Sequence, residues 1–148
     1  MKAAWIYPLI LAAGALQAWG PPMNGALRVA LINPWLASLV SFLPIVALLF
    51  VLYVCLPTPM PTMASVAAMP WWAPLAGVIG AFAVVAGLMF VDRVGAGTFA
   101  ALLITANILM SLVIDQFGLF GIPIHPISLP RALGGALLVA GVALVARF

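Results

Sequence analysis

A chain of 148 residues that is 68% hydrophobic and only 5% charged, with a mean hydropathy of +1.36, could cover a soluble fold only with apolar side chains, so its solvent is lipid. Five cations, Lys2, Arg28, Arg93, Arg131 and Arg147, stand against two acids, Asp92 and Asp115, for a net charge of +3. They are too few and too scattered for a nucleic-acid surface, and the lone Cys55 excludes an internal disulfide.

Ala3 to Trp19 is the first apolar run, and it continues past Gly20, Pro21 and Pro22 into Met23 to Leu31, a stretch whose only strongly polar members are Asn24 and Arg28. A basic residue before an apolar run also opens a secretory signal, but further apolar runs follow here in place of a polar mature domain, so the segment is expected to be retained. The pattern predicts one long helix over residues 3–31, kinked or broken at 20–22, because proline removes a backbone donor and clashes with the preceding turn. A break at membrane depth must turn its freed carbonyls toward protein or a wet cavity. Asn33 and Pro34 suit the cap and first turn of a second helix over 34–56. Pro57, Pro59, Pro61 and Pro70 predict a loop. Trp71 and Trp72 then open a third helix over 71–91, as an interfacial belt would. Asp92 and Arg93 mark an exit from the membrane before a fourth helix over 95–116. Pro123, Pro126 and Pro130 make the next connection, and a last helix over 129–146 is closed by Arg147. The expected fold is all-α and integral to the membrane, one domain of five transmembrane helices over 1–148 with nothing left for a soluble domain.

Polar residues inside such helices mark candidate sites, since they are costly in lipid and face the bundle or water. Gln17 lies one turn before the break, and Asn24 lies seven residues on, on the same face of an unbroken helix. Both are substrate-site candidates; the alternative is an interhelical hydrogen bond that only holds helices together. Trp19 either anchors at the interface or lines a cavity and stacks on a cationic or aromatic solute. On the fourth helix, which also carries Thr98 and Thr105, Asn107, Ser111 and Asp115 are spaced four apart on one stripe that must meet protein or water. Asp115 could couple protons if buried, or sit ionised at the membrane edge, capping or pairing with an arginine such as Arg131. His125, alone in a loop, is assigned no role. Ser38 and Ser41 can bond back to their own helix. Gly77, Gly80 and Gly87, and Ala132, Ala136 and Ala140 beside Gly134 and Gly141, suit close helix packing, with a dimer contact on the last helix as the more specific version. Nothing brings a nucleophile, a base and an orienting group together, so no catalytic residue, metal or cofactor is expected.

Leu16-Gln17-Ala18 through Asn24-Gly25-Ala26-Leu27-Arg28, the segment Pro34 to Phe42, Pro70-Trp71-Trp72, Gly95-Ala96-Gly97-Thr98-Phe99 and the turn Asp115 to Gly121 together resemble the short five-helix YdcZ-like family of the drug/metabolite transporter superfamily. The resemblance covers nearly the whole chain, and the Asp115 to Gly121 turn and the Leu129-Pro130 start of a Gly/Ala-rich last helix are its most specific parts. It implies a bacterial inner-membrane transporter, often described as an exporter, matching one half of ten-helix members built from two inverted repeats. The chain is also similar, more distantly, to the small multidrug resistance proteins. Their proton-exchanging glutamate falls at Gln17, three residues before Gly20, and Ala101 and Ile104 stand where they have substrate-facing aromatics. Glutamine cannot titrate, so the multidrug mechanism does not carry over.

The expected function is therefore secondary transport of a small polar or amphipathic solute, with a non-transporting scaffold or subunit and a passive channel as alternatives. Gln17, Trp19, Asn24, Asn107 and Ser111 are the candidate lining. Five spans put Lys2 and Arg131 on one side of the membrane and Arg28, Arg93 and Arg147 on the other. Orientation follows the Lys/Arg excess in short loops, and a bias of one commits the chain weakly. Either it inserts in both directions and pairs with a second copy, or with a homologous subunit of opposite topology, in the inverted arrangement of secondary transporters, or it takes a single orientation with the three-cation side cytoplasmic. C-terminal fusions to two reporters, one active only inside the cell and one only outside, decide between them: activity from both is the outcome of dual topology, and activity from just one removes it.

Overall fold

The computed structural model describes residues 5–56 and 58–148, which form seven α-helices and two short 3-10 turns. The helices are α1 Ile6–Gln17, α2 Gly20–Leu31, α3 Pro34–Cys55, α4 Met63–Ala67, α5 Ala76–Val94, α6 Ala96–Phe117 and α7 Leu129–Arg147. Lys2, used in the orientation count, and Pro57 of the proline-rich loop lie outside the described residues. Four helices are long and apolar enough to cross a bilayer: Pro34–Cys55, Ala73–Val94, Ala96–Phe117 and Leu129–Arg147. Their bounds lie within three residues of the sequence expectation. Most large apolar side chains are exposed, as a chain solvated by lipid requires.

The first apolar run differs from one long helix. It is two helices of 12 residues, separated at Ala18 and Trp19, whose N–H groups bond the carbonyls of Ala15 and Leu16. The helix restarts at Gly20 with the proline pair in its first turn, where a missing N–H costs nothing. Pro21 and Pro22 supply no donor to the carbonyls of Gln17 and Ala18 four residues back, so the interruption falls before the prolines rather than at them. Each half rises only about 18 Å, too short to cross hydrocarbon alone.

The turn from α2 to α3 is tight. Asn33 accepts hydrogen bonds at Oδ1 from the N–H groups of Trp35 (2.9 Å) and Leu36 (3.2 Å), and Pro34 takes the first helical position. The residue before it, Ile32, is held at φ 59°, a left-handed conformation that crowds its β-branched side chain. α3 then runs through Pro44, which leaves the Val40 carbonyl without its helical donor. The proline-rich loop that follows is not wholly irregular, because Thr62 caps the short α4 by accepting from the N–H of Ser65 at 3.1 Å. α5 carries Asp92 and Arg93 in its last turn, and Gly95 at φ 84° separates it from α6.

Chain contacts divide the protein into two compact units, Met1–Val91 and Asp92–Phe148. In the first, α2 packs on α3 with Asn24, Gly25, Ala37 and Ser38 buried. In the second, α6 packs on α7 around Gly135. A Cβ at Gly135 would meet Leu109 Cδ2 at 3.3 Å and Leu112 Cδ1 at 3.5 Å, so the missing side chain lets the two helices approach. Gly135 was not among the packing positions read from the sequence; at Gly77, Gly80, Gly134 and Gly141 an added Cβ meets nothing within 4 Å.

Adjacent residues of the α2–α3 turn should respond in opposite directions. Asn33→Ala is expected to destabilise the chain by about 1 kcal/mol through loss of the cap, and Ile32→Gly to stabilise it by about 1 kcal/mol through relief of the left-handed conformation. Unfolding in mixed micelles followed by circular dichroism measures both.

Candidate functional site

Asn24 is the most buried polar side chain of the first unit's α2, at 9% exposure. It sits one turn into α2, on the face that meets α3, because Gly25 beside it and Ala37 and Ser38 opposite are small enough to let the helices close. Its Oδ1 accepts a hydrogen bond from Ser41 Oγ at 2.7 Å. Ser41 was expected to bond back to its own helix and instead reaches across, because Asn24 offers an acceptor at that level of α3 while the interior Pro44 follows three residues on. Ser38 does bond back, donating to the Pro34 carbonyl at 2.9 Å.

Gln17 and Trp19 lie at the interruption itself, Gln17 as the last residue of α1 and Trp19 as the residue before α2. Both side chains are exposed, Trp19 at 67%. Ala18 and Trp19 between them keep right-handed helical dihedrals, but Gln17 is exposed whereas Asn24 is buried against α3, so the two expected partners do not share one environment. What the segment concentrates is hydrogen-bonding capacity: two backbone carbonyls without helical donors, a primary amide at 17 and the Asn24–Ser41 pair within about two turns of chain.

In the second unit, Asn107 and Ser111 are exposed on α6. At 3.6 residues per turn Asn107 lies roughly 140–160° around the helix from Leu109 and Leu112, the residues that meet α7, so α7 cannot cover it. Asp115 has drifted back toward α7 and pairs there. Arg131 donates from Nη2 to Asp115 Oδ2 and from Nη1 to the His125 carbonyl at 2.9 Å. The His125 N–H donates to the Asp115 carbonyl at 2.9 Å, and the Ile127 N–H donates to Gln116 Oε1 at 2.6 Å. These bonds fold the α6–α7 connection back on itself, and Gly118 at φ 60° makes the reversal, since a Cβ there would stand 2.7 Å from Ile124 Cγ1. Asp115 thus takes the arginine-paired arrangement of the two alternatives. Gln116 and the backbone of His125 join it, a role carried by turn geometry and therefore absent from the sequence pattern. Among the described residues no group of three His, Cys, Asp or Glu side chains could hold a metal.

Several apolar helices of spanning length, with no strand among the described residues, define an all-helical, multi-pass membrane protein. The chain belongs to the family described as "Putative inner membrane exporter, YdcZ", which it matches over residues 5–144. That description is of an exporter and not of an enzyme, and with its several apolar helices the chain is a multi-pass protein of the inner membrane. It is 35% identical over 82 residues to the inner membrane protein YdcZ of Escherichia coli (strain K12), an alignment that covers 55% of this chain and 54% of that relative. The chain therefore spans about half the length of the curated relative it matches. No solved structure matches.

Two double-mutant cycles separate the polar contacts. The Asn24–Ser41 pair is expected to show a coupling of about 0.6 kcal/mol, the usual worth of an interhelical hydrogen bond in lipid. Asp115 and Arg131, partly exposed, are expected to couple by about 1 kcal/mol in low salt and less as salt is raised. Reversible unfolding in micelles reads both cycles, and zero coupling in either would remove that contact from the account.

Proposed function

We propose that the chain is a small secondary transporter of the drug/metabolite type that carries a small polar or amphipathic solute across the inner membrane. The observation that carries this reading is the interrupted first helix. In a membrane, carbonyls that lose their helical donors to a proline pair must face protein or a water-filled cavity, and interrupted helices are where secondary transporters bind their substrates. The interruption here has the Gln17 amide beside it and the Asn24–Ser41 pair one turn into α2. α1 and α2 together are long enough for one crossing, which with the four long helices makes five.

An odd number of crossings supplies half of a two-repeat transporter, and the other half in this reading is a second copy of the chain in the opposite orientation. Asn107 and Ser111 support it. They are exposed on α6 and turned from α7, and exposed amide and hydroxyl groups at membrane depth need a polar neighbour from outside their own unit, which a second copy can supply. Cargo recognition then rests on neutral hydrogen bonds from Gln17, Asn24, Asn107 and Ser111 and on stacking over Trp19, rather than on ion pairs. Gln17 cannot exchange protons, and Asp115 is engaged by Arg131, so flux in this reading does not depend on proton coupling through either residue.

Reconstitution into liposomes with a solute screen, with and without a pH gradient, tests the proposal. The expected result is saturable flux of at least one small neutral or amphipathic solute, reduced tenfold or more by Gln17→Ala. Flux that does not saturate makes the protein a channel, and no flux with any solute leaves a scaffold or subunit.

A further inference from the structure

The second unit holds a groove along α6 and α7 with a volume of about 430 Å³, bounded by Ala101 and Thr105 on α6 and by Gly134, Leu137, Gly141 and Val145 on α7. Its size falls within the roughly 300–1,000 Å³ of small-molecule sites. No charged side chain lines it. Its one polar group is the Thr105 hydroxyl, on a residue only 7% exposed that makes no hydrogen bond among the described residues. A threonine on a helix ordinarily satisfies itself by bonding the carbonyl one turn back. Here that bond is absent, and the hydroxyl of this largely buried residue borders the groove.

The glycines of α7 divide into two kinds. Gly135 is filled against, because a Cβ there would press on Leu109 and Leu112. At Gly134 and Gly141 a Cβ would meet nothing, so these two do not serve the closeness of α6 and α7; their missing side chains are the space of the groove itself. We propose that the groove is a binding site for an uncharged small molecule with an aliphatic or aromatic body and one hydroxyl or similar oxygen, which partners Thr105 Oγ1. Three considerations select that occupant. A charged ligand would find no counter-charge in the groove. A lipid acyl chain would fill the apolar part and leave Thr105 without a partner. The lining runs along α7 from Gly134 to Val145, about 16 Å, whereas a docked spanning helix would lie along about 30 Å of hydrocarbon. The site involves none of the residues assigned to transport, and binding alone tests it.

The test is photolabelling of the full chain in phosphatidylcholine nanodiscs with a diazirine-bearing octanol, with adducts mapped by mass spectrometry. Saturable labelling of the groove stretch of α7 is expected, competed by plain octanol. Thr105→Val should weaken it about three- to tenfold, the effect of one net hydrogen bond, and Thr105→Ser should restore it. Gly141→Leu and, independently, Gly134→Leu should abolish labelling while leaving the helical circular dichroism unchanged, because each side chain enters open space. Equal labelling by a diazirine-bearing octane, insensitive to Thr105→Val, would make the groove a slot for lipid chains and overturn the proposal. So would absence of saturable labelling in the unaltered protein accompanied by a change of oligomeric state in Gly141→Leu, which would assign the groove to a helix of a second copy.

Discussion

In hydrocarbon there is no water to take up a backbone hydrogen bond, so every peptide group of this chain must find its partner within the protein. The four long helices meet that constraint by regular bonding along their length, the Val40 carbonyl opposite Pro44 in α3 excepted. The places where the chain departs from regular helix each bring their own solution. Asn33 supplies an acceptor where α3 begins, Thr62 does the same for α4, and Gln116 accepts from the backbone of the α6–α7 connection. The interruption before Pro21 is different in kind. There the carbonyls of Gln17 and Ala18 lose their helical donors to a proline pair, and the side chains nearby are those able to bond a solute as readily as a backbone.

The same constraint sets the strength of the helix contacts. Apolar burial contributes little between helices already solvated by lipid, so close approach and a few hydrogen bonds must do more of the ordering. α2 and α3 meet through Gly25, Ala37 and Ser38, and the Asn24–Ser41 bond adds direction to a contact that van der Waals packing alone would leave free to slide. α6 and α7 meet through Gly135 and are closed at one end by the Asp115–Arg131 pair with its backbone bonds. An ion pair that also holds the carbonyl of His125 fixes the return angle of α7 more firmly than the charges alone would, because the guanidinium fork has two bonded partners in one plane.

Membership of an inner-membrane exporter family and the architecture point the same way without being the same argument. The family relation bears on the chain as a whole. In the proposed reading a solute is handled at the interrupted helix or along polar positions that no helix of the same unit covers. A transporter needs elements that can take two arrangements, and two 12-residue helices joined where a proline pair withholds two helical donors give way more readily than the 22-residue α6.

Composition by itself determined that this is a membrane protein, and hydrophobic runs punctuated by proline, tryptophan and charge located the long helices to within three residues. That works because lipid leaves a chain so few alternatives. The capping role of Asn33 and the pairing of Asp115 with Arg131 were also legible, since cap chemistry is local and the two charges flank one short connection. Tertiary structure decided the rest. It showed that the first run parts before its prolines and not at them, because the carbonyls that lose their donors lie four residues back. It turned Ser41 away from its own helix toward Asn24, and it separated Gly135, which lets two helices touch, from Gly134 and Gly141, which leave a groove. Small residues read alike in sequence; only the position of the neighbouring helix distinguishes a contact from a cavity.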